Sequence, residues 1–152
     1  MTLRRHLPLL SFALVVAVIM ALPGCGDDAV DTSTKPDVTV PDESATELEI
    51  TDIVEGDGDE VEAGDTVTAH YVGVGQQSGE EFDTSWGGQP ATFPLDGVIE
   101  GWSKGLVGMK VGGRRELVIP GDMAYGANPP SPDIQPDETL VFVVDLKDVQ
   151  KG

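Results

Sequence analysis

The stretch Val98-Ile99-Glu100-Gly101-Trp102 carries the most information about the fold of this chain. Two other segments support it: Gly79-Glu80-Glu81-Phe82-Asp83 before it and Ala124-Tyr125-Gly126 after it. Together they supply large aromatic rings, a phenol, a carboxylate and several glycines, but no nucleophile and no cluster of metal ligands. This combination indicates a pocket that excludes water and acts on the shape of its substrate.

The fold class follows from apolar periodicity. Apolar residues recur mainly with period two at 48–54, 66–71 and 139–149, the apolar run 117–119 indicates a strand that ends at Pro120, and a shorter strand pair is indicated at 81–84 and 92–95. Only 101–107 favours a helix. We therefore predict an α+β fold, in which an antiparallel sheet of four to five strands packs against one short helix.

The segment 121–138 has no periodic pattern and contains prolines at 129, 130, 132 and 136. Loops of this length within a compact domain are uncommon and are usually functional or mobile. We expect this loop to contribute to the site.

Five motifs occur in one order: His70-Tyr71-Val72-Gly73, the three segments described above, and Thr139-Leu140-Val141-Phe142. Over about residues 48–147 they resemble the FKBP-type peptidyl-prolyl cis-trans isomerases in order and nearly in spacing. The resemblance implies a curved sheet wrapping the helix, with a pocket between them that the loop 121–138 overhangs. It also implies an enzyme that accelerates rotation about X-Pro bonds. Together with the N-terminal signal described below, this predicts that the enzyme assists the folding of exported proteins.

The resemblance assigns roles to nine residues. Four would be catalytic: Tyr71, Asp83, Trp102 and Tyr125. Five would bind substrate: Phe82, Phe93, Val98, Ile99 and Phe142. Trp102 would form the floor under the proline ring, and the backbone N–H of Ile99 and the hydroxyl of Tyr125 would bind substrate carbonyls. Asp83 would either accept a hydrogen bond from Tyr71 or face the twisting amide.

Three positions depart from the usual family pattern. Ala91 stands where many members have a second phenylalanine, Met123 replaces a common tyrosine, and Asp133 lies in the overhanging loop. These changes leave the expected floor and hydroxyl donor in place but thin the upper wall. We expect them to weaken the binding of macrolide inhibitors.

Two other functions stay open at this stage. The same pocket could serve a non-catalytic chaperone or docking module for Pro-containing segments. Alternatively, the aromatic residues could be core alone in a structural lipoprotein, with Asp83 as a turn residue and Tyr125 as an ordinary loop residue.

The N-terminus predicts export. Residues 1–24 read as a signal peptide, with Arg4 and Arg5 before the apolar run 7–22, which is shorter than the ~20 residues of a membrane span. Leu22-Pro23-Gly24-Cys25 resembles the lipobox of bacterial lipoproteins, although an ordinary signal peptide is the alternative. Because Cys25 is the only cysteine, we expect it to carry a lipid that anchors the protein to a bacterial membrane, outside the cytoplasm.

Residues 25–45 are rich in Asp, Thr, Ser and Pro and have few large apolar side chains, so they predict a disordered linker. Residues 46–152 then form one domain of ordinary size.

The composition limits the kinds of partner that this chain can bind. The chain has 27 Asp and Glu against 9 Lys and Arg, a net charge of −18, which argues against nucleic-acid binding. No plausible ligand cluster is present, so we expect no metal and no cofactor. One small acidic domain on a tether suggests a monomer.

Overall fold

A computed structural model describes residues 30–152 of the chain; the predicted signal peptide and Cys25 lie outside this range. Its strands are β1 (Glu49–Val54), β2 (Thr66–Gly75), β3 (Glu81–Thr84), β4 (Ala91–Pro94), β5 (Arg114–Ile119) and β6 (Leu140–Gln150). The one α-helix within residues 30–152, α1 (Glu100–Gly105), lies between β4 and β5. No helix in this range is long and apolar enough to cross a membrane.

The strands form one antiparallel sheet in the order β1-β5-β6-β2-β3. β4 pairs with the first half of β2, and β3 pairs with its second half, so both share one edge of β2. The predicted α+β class with one short helix is confirmed. The sheet has six strands instead of four to five, because both members of the short pair bond to β2.

The helix is displaced from its predicted range of 101–107. α1 begins at Glu100, and the chain leaves the helix at Leu106. It then turns through Gly108, whose φ of 82° is a conformation that glycine adopts without strain. The turn therefore ends the helix before Val107.

The hydrophobic core lies between α1 and the inner face of the sheet. Alternate residues of each strand point to this face because side chains alternate across a strand. The buried members on the three central strands are Val67, Ala69, Tyr71, Leu117, Ile119, Leu140, Phe142, Val144 and Leu146. The cluster also contains Trp102 of α1, Leu106 just after the helix, and Val61, Leu95, Met109, Ile134 and Val149.

Two bulges lie on opposite sides of β2. β6 has one extra residue between Leu146 and Asp148, and β3 has Phe82 as the extra residue opposite the step from Gly73 to Val74. Bulges bend a strand and increase its twist, which is how a sheet curves around a single helix.

The outer face of the sheet carries a second apolar patch. Its members are buried although they are not part of the core cluster: Val72, Val74, Val118, Val141 and Val143. In the sheet register Val72 lies opposite Val143, and Val74 lies opposite Val141. An uncovered sheet face would leave such residues exposed to solvent.

Residues 32–45, here called the strap, lie against this outer face. Val72 and Val74 line a crevice together with Lys35, Pro36, Asp37 and Val38. Along the strap the half-buried residues at 36, 38 and 40 alternate with exposed residues at 37 and 39. The strap thus presents one apolar edge to the sheet.

Polar contacts hold the first half of the strap. The carbonyl of Thr34 accepts a hydrogen bond of 2.8 Å from the guanidinium of Arg114, which is itself buried and paired with Asp145. Lys35 forms an ion pair of 2.6 Å with Glu81. The guanidinium of Arg114 therefore binds both the strap and β6.

The second half of the strap contacts the turn after β2. The side-chain amide of Gln76 donates to the carbonyls of Pro41 (3.0 Å) and Asp42 (3.3 Å). The backbone N–H of Ala45 donates to the hydroxyl of Thr139 at 3.0 Å. Residues 25–45 were predicted to be a disordered linker. From residue 30 onward this segment has no helix or strand, but it is in contact with the domain. The domain boundary at residue 46 stays a prediction.

Removing the strap should destabilise the domain. A chain of residues 46–152 exposes Val72 and Val74, so we expect its free energy of unfolding to fall by about 2 kcal/mol relative to residues 26–152. Urea denaturation measures the difference, and a chain of residues 32–152 is the control because it keeps the strap. Equal midpoints for all three chains would show that the strap contributes nothing to stability.

Candidate active site

A cavity of about 230 Å³ lies on the inner side of the sheet, between α1 and the loop 121–138. Its lining residues are Tyr71, Asp83, Phe93, Gly97, Val98, Ile99, Trp102, Tyr125 and Phe142. Eight of the nine residues predicted for the site are therefore brought together, although they come from six separate segments of the chain.

The floor of the cavity depends on how closely α1 approaches β5. A side-chain carbon added at Gly101 would lie within 2.5 Å of Ile119, and one added at Gly105 would lie 2.7 Å from Leu117. Real contacts of this kind are not shorter than about 3 Å. Glycine at both positions therefore lets the helix lie on the sheet and brings Trp102, which is only 4% exposed, under the cavity.

Trp102 stands at the centre of an aromatic cluster. Its ring meets those of Tyr71, Phe93 and Phe142 edge to face, with centroid distances of 5.5, 5.2 and 5.4 Å. Edge-to-face pairs are favoured because the positive edge of one ring meets the negative face of another. Three such contacts from three strands fix the orientation of the indole.

The indole N–H of Trp102 is buried and has no hydrogen-bond partner within residues 30–152. Leaving such a group without an acceptor costs roughly 1–3 kcal/mol. Unpaired buried groups are rare in native structures, and here one lies in the floor of the cavity.

Tyr71 and Asp83 form the polar edge of the cavity. The phenol of Tyr71 donates a hydrogen bond of 2.8 Å to a carboxylate oxygen of Asp83. Burial, together with the nearby carboxylate, raises the pKa of Tyr71 well above its usual value, so the phenol stays protonated and keeps this bond. Of the two positions open for Asp83, the structure shows the contact with Tyr71.

Tyr125 reaches the cavity from the overhanging loop and is 37% exposed. Burial raises the pKa of its phenol, and the charge of Asp83 adds to the rise. The hydroxyl is therefore a hydrogen-bond donor at neutral pH.

Ile99 occupies the position just before α1, and its carbonyl accepts hydrogen bonds from the N–H groups of Trp102 and Ser103. No backbone acceptor for the N–H of Ile99 appears within residues 30–152. This amide is a second donor beside the cavity.

Phe82 does not line the cavity. Its ring packs edge to face on Phe142 at 5.5 Å, and both rings occupy space above Gly73, where a side-chain carbon would lie 2.7 Å from Phe142 and 2.8 Å from Phe82. Phe82, the bulge residue of β3, therefore supports the wall from behind.

Gly97 lines the cavity but was missed by the sequence reasoning. It ends the 3-10 turn Leu95–Gly97 and contributes only backbone, so no side chain marks it as a site residue. Ala91 and Asp133, which were expected to weaken the upper wall, do not line the cavity. Ala91 packs against the core, and exposed Asp133 bonds to Ser131.

Comparisons with known proteins decide the family. The family model for FKBP-type peptidyl-prolyl cis-trans isomerase matches residues 58–147, more than half of the chain. An FK506-binding protein of Streptomyces anulatus is 53% identical over 117 residues, covering 74% of this chain and 94% of its own length. The chain belongs to the FKBP-type peptidyl-prolyl cis-trans isomerases.

Solved structures agree with this assignment. FkpA from Escherichia coli has a TM-score of 0.63 at 43% identity, covering 71% of this chain and 51% of that one. An isomerase from Pseudomonas syringae has the same TM-score at 38% identity, with 68% and 76% covered. The isomerase fold and enzyme class predicted from the sequence are thus confirmed. All nine cavity residues lie inside the family match, whereas the strap precedes it.

Within residues 30–152 of this isomerase, no group of three or more His, Cys, Asp or Glu side chains is arranged to hold a metal ion. The groups that the cavity offers to a substrate are aromatic rings, aliphatic walls and the polar groups described above.

Replacing Gly101 by alanine tests the packing of the floor. The new carbon would lie within 2.5 Å of Ile119, so α1 must move away from β5. We expect a loss of about 1–3 kcal/mol in stability and a fall in kcat/KM, because Trp102 moves with the helix. Chemical denaturation and a peptide isomerisation assay measure the two effects.

Gly88→Ala is the matched control, since its new carbon meets nothing closer than 3.7 Å. We expect wild-type stability and activity for it. A Gly101→Ala variant as stable and active as Gly88→Ala would refute the close-packing argument.

Proposed function

We propose that this isomerase works outside the cytoplasm, held to a bacterial membrane by a lipid on Cys25, where it accelerates X-Pro rotation in exported proteins. The enzyme class supports the reaction. The charged start, the apolar run and the sequence Leu22-Pro23-Gly24-Cys25 support export and lipid attachment.

The reaction needs no nucleophile. Rotation about a peptide bond interrupts amide resonance and has a barrier of about 18–20 kcal/mol. At the twisted geometry the amide has less charge separation and needs less solvation than the planar form. A dry, apolar cavity therefore favours the twisted state over the planar one, and catalysis is differential binding of the transition state.

In this proposal the proline ring rests on the indole of Trp102. The walls are the rings of Tyr71, Phe93 and Phe142 and the aliphatic side chain of Val98. The cavity of about 230 Å³ has room for one proline ring and the atoms beside it. Selectivity for proline then follows from the shape of the cavity.

Two donors would hold the peptide on either side of the proline. The N–H of Ile99 has no backbone acceptor within residues 30–152, and the phenol of Tyr125 remains protonated. Each would bind a substrate carbonyl and leave the X-Pro amide free to rotate between them.

Asp83 would act mainly through Tyr71. Its carboxylate holds the phenol of Tyr71 at 2.8 Å, which fixes that ring as a wall. Its negative charge lies beside the cavity, where it would also interact with the nitrogen end of the twisting amide.

The partners we propose are Pro-containing flexible segments of client proteins. Macrolide binding is a second expectation, since relatives carry the name FK506-binding protein. The acidic chain, with a net charge of −18, would repel anionic surfaces and favour neutral or basic clients. We expect the protein to act as a monomer.

Anchoring at Cys25 would give the domain a defined orientation. With the strap on the outer face of the sheet, only residues 26–31 remain between Cys25 and the domain. Six residues span at most about 21 Å. The outer face would therefore lie toward the membrane, and the cavity on the inner face would open away from it toward clients.

Trp102→Leu and Tyr125→Phe test the roles in the cavity. Tyr125→Phe removes the hydroxyl and with it one neutral hydrogen bond to the substrate, so we expect kcat/KM to fall about fivefold. Trp102→Leu removes the floor and should reduce kcat/KM by more than tenfold. Exchange of an X-Pro tetrapeptide, followed by NMR, measures both variants.

His70→Gln serves as a control, because His70 stacks on Trp86 outside the cavity. Far-UV circular dichroism and denaturation establish that each variant is folded. Full activity in folded Trp102→Leu and Tyr125→Phe would disprove the site assignment but not the isomerase activity.

Cys25→Ser tests the anchor in a bacterium that processes lipoproteins. We expect the full chain to partition into the detergent phase and to gain the mass of a lipid, and the serine variant to remain in the aqueous phase. Intact-mass spectrometry of the mature N-terminus is the deciding measurement. An unmodified mature chain that begins elsewhere than residue 25 would point to an ordinary signal peptide instead.

A further inference from the structure

The geometry points to Glu138 as a positioning residue for isomerisation, which we propose acts by fixing the loop that carries Tyr125. This inference rests on the role proposed above for Tyr125. Glu138 lies outside the cavity and touches none of the groups assigned to the substrate. Its effect on the reaction must therefore pass through the loop.

The carboxylate of Glu138 is enclosed and is held by backbone amides. The residue is only 2% exposed. One carboxylate oxygen accepts N–H groups from Gln77 at 2.9 Å and Ser78 at 3.4 Å, and the other accepts the N–H of Gln135 at 2.7 Å. Within residues 30–152 no basic side chain forms an ion pair with it.

These bonds join two distant parts of the chain. Gln77 and Ser78 belong to the turn between β2 and β3, 60 residues or more before Glu138, whereas Gln135 belongs to the overhanging loop. The carboxylate therefore ties the end of the loop to a turn of the sheet.

The surroundings are shaped for this carboxylate. A side-chain carbon at Gly75 would lie 2.6 Å from its oxygen, so glycine is needed there to make room. A carboxylate can accept at both oxygens, whereas a glutamine presents an NH₂ group to at least one of the amide donors. Glutamine would fill the same volume but could not satisfy both sides.

The loop carries the constraint on to Tyr125. Asp137, next to Glu138, has a positive φ of 57°, and its N–H donates to the carbonyl of Gly126 at 2.8 Å. The N–H of Gly126 in turn donates to the carbonyl of Gly121 at 2.8 Å. The two limbs of the loop are thus joined at the residue after Tyr125.

The two limbs of the loop are closely packed at Gly121. A side-chain carbon there would overlap the carbonyl of Asp137, so the two limbs are in direct contact. When the carboxylate no longer fixes position 138, Asp137 and Gly126 shift together. The phenol of Tyr125 then loses its alignment with the cavity.

A double-mutant cycle tests the proposal. Glu138→Gln should lower kcat/KM for a Pro-containing tetrapeptide by up to about fivefold in the wild-type background, which is the loss expected when the hydroxyl of Tyr125 no longer bonds to the substrate. In the Tyr125→Phe background the same change should cost less than about twofold, because the group that it positions is already absent. A loss of packing unrelated to Tyr125 would give equal costs in both backgrounds.

Asp65→Asn is the matched control. Asp65 is also a buried carboxylate that accepts backbone N–H groups, from Glu62 at 2.8 Å and Gly152 at 3.2 Å. It differs in pairing with Lys151 at 3.1 Å, and none of its partners belongs to the loop 121–138. We expect it to lower stability as Glu138→Gln does, with kcat/KM unchanged. Hydrogen exchange should quicken at Gln77, Gln135 and Asp137 in Glu138→Gln only.

The possible outcomes distinguish the role of Glu138 from the role of Tyr125. Equal costs of Glu138→Gln with and without the Tyr125 hydroxyl, or unchanged exchange at those amides, would overturn the role of Glu138 alone. Full activity in Tyr125→Phe would overturn the role of Tyr125 and this inference with it. Coupled losses with local exchange would establish Glu138 as a positioning residue.

Discussion

The close approach of α1 to β5 is the constraint on which the rest of the structure depends. Gly101 and Gly105 have no side chains, so the helix lies directly on Ile119 and Leu117. At that distance Trp102 enters the core and meets three rings edge to face. The floor of the cavity is therefore also the centre of the hydrophobic core, and the same packing both stabilises the domain and forms the site. The unpaired indole N–H is a cost that this arrangement carries.

A thin sheet with one short helix has apolar residues on both faces, and each face must be covered. The inner face is covered by α1 and the loop 121–138, whereas Val72 and Val74 on the outer face lie beside the strap. Arg114 ties the strap to the sheet, because its guanidinium bonds both to Asp145 on β6 and to the carbonyl of Thr34. The strap lies outside the region that the family model matches, so this chain supplies the cover from its own N-terminal segment.

The parts of the structure that the sequence predicts well are those marked by side chains in local patterns. Alternation located the strands, and the ring and hydroxyl residues of the cavity could be named from their motifs. The strap could not be predicted, because its contacts pair residues such as Thr34 and Arg114, 80 positions apart, through a backbone carbonyl. Gly97 has no side chain to mark it, and the ring of Phe82, the extra residue of a bulge in β3, packs on Phe142 and does not line the cavity. Glu138 reads as one more surface acid until its three amide donors are seen.

The residues of the site are held in place in two ways, by close packing and by hydrogen bonds within a loop, and these differ in how well they tolerate substitutions. Its floor and walls are core residues held by close packing, where an added or removed methylene group is felt throughout the domain. The hydroxyl of Tyr125 lies on a loop whose two limbs are joined by hydrogen bonds among Gly121, Gly126 and Asp137, and this loop meets the core only at particular residues, among them Ile134. Substitutions at the exposed loop positions 135–137 can therefore alter the alignment of the donor without disturbing the core. In the function proposed above, changes at these loop positions would alter the alignment of the hydroxyl, whereas selectivity for proline would rest on the packed aromatic floor.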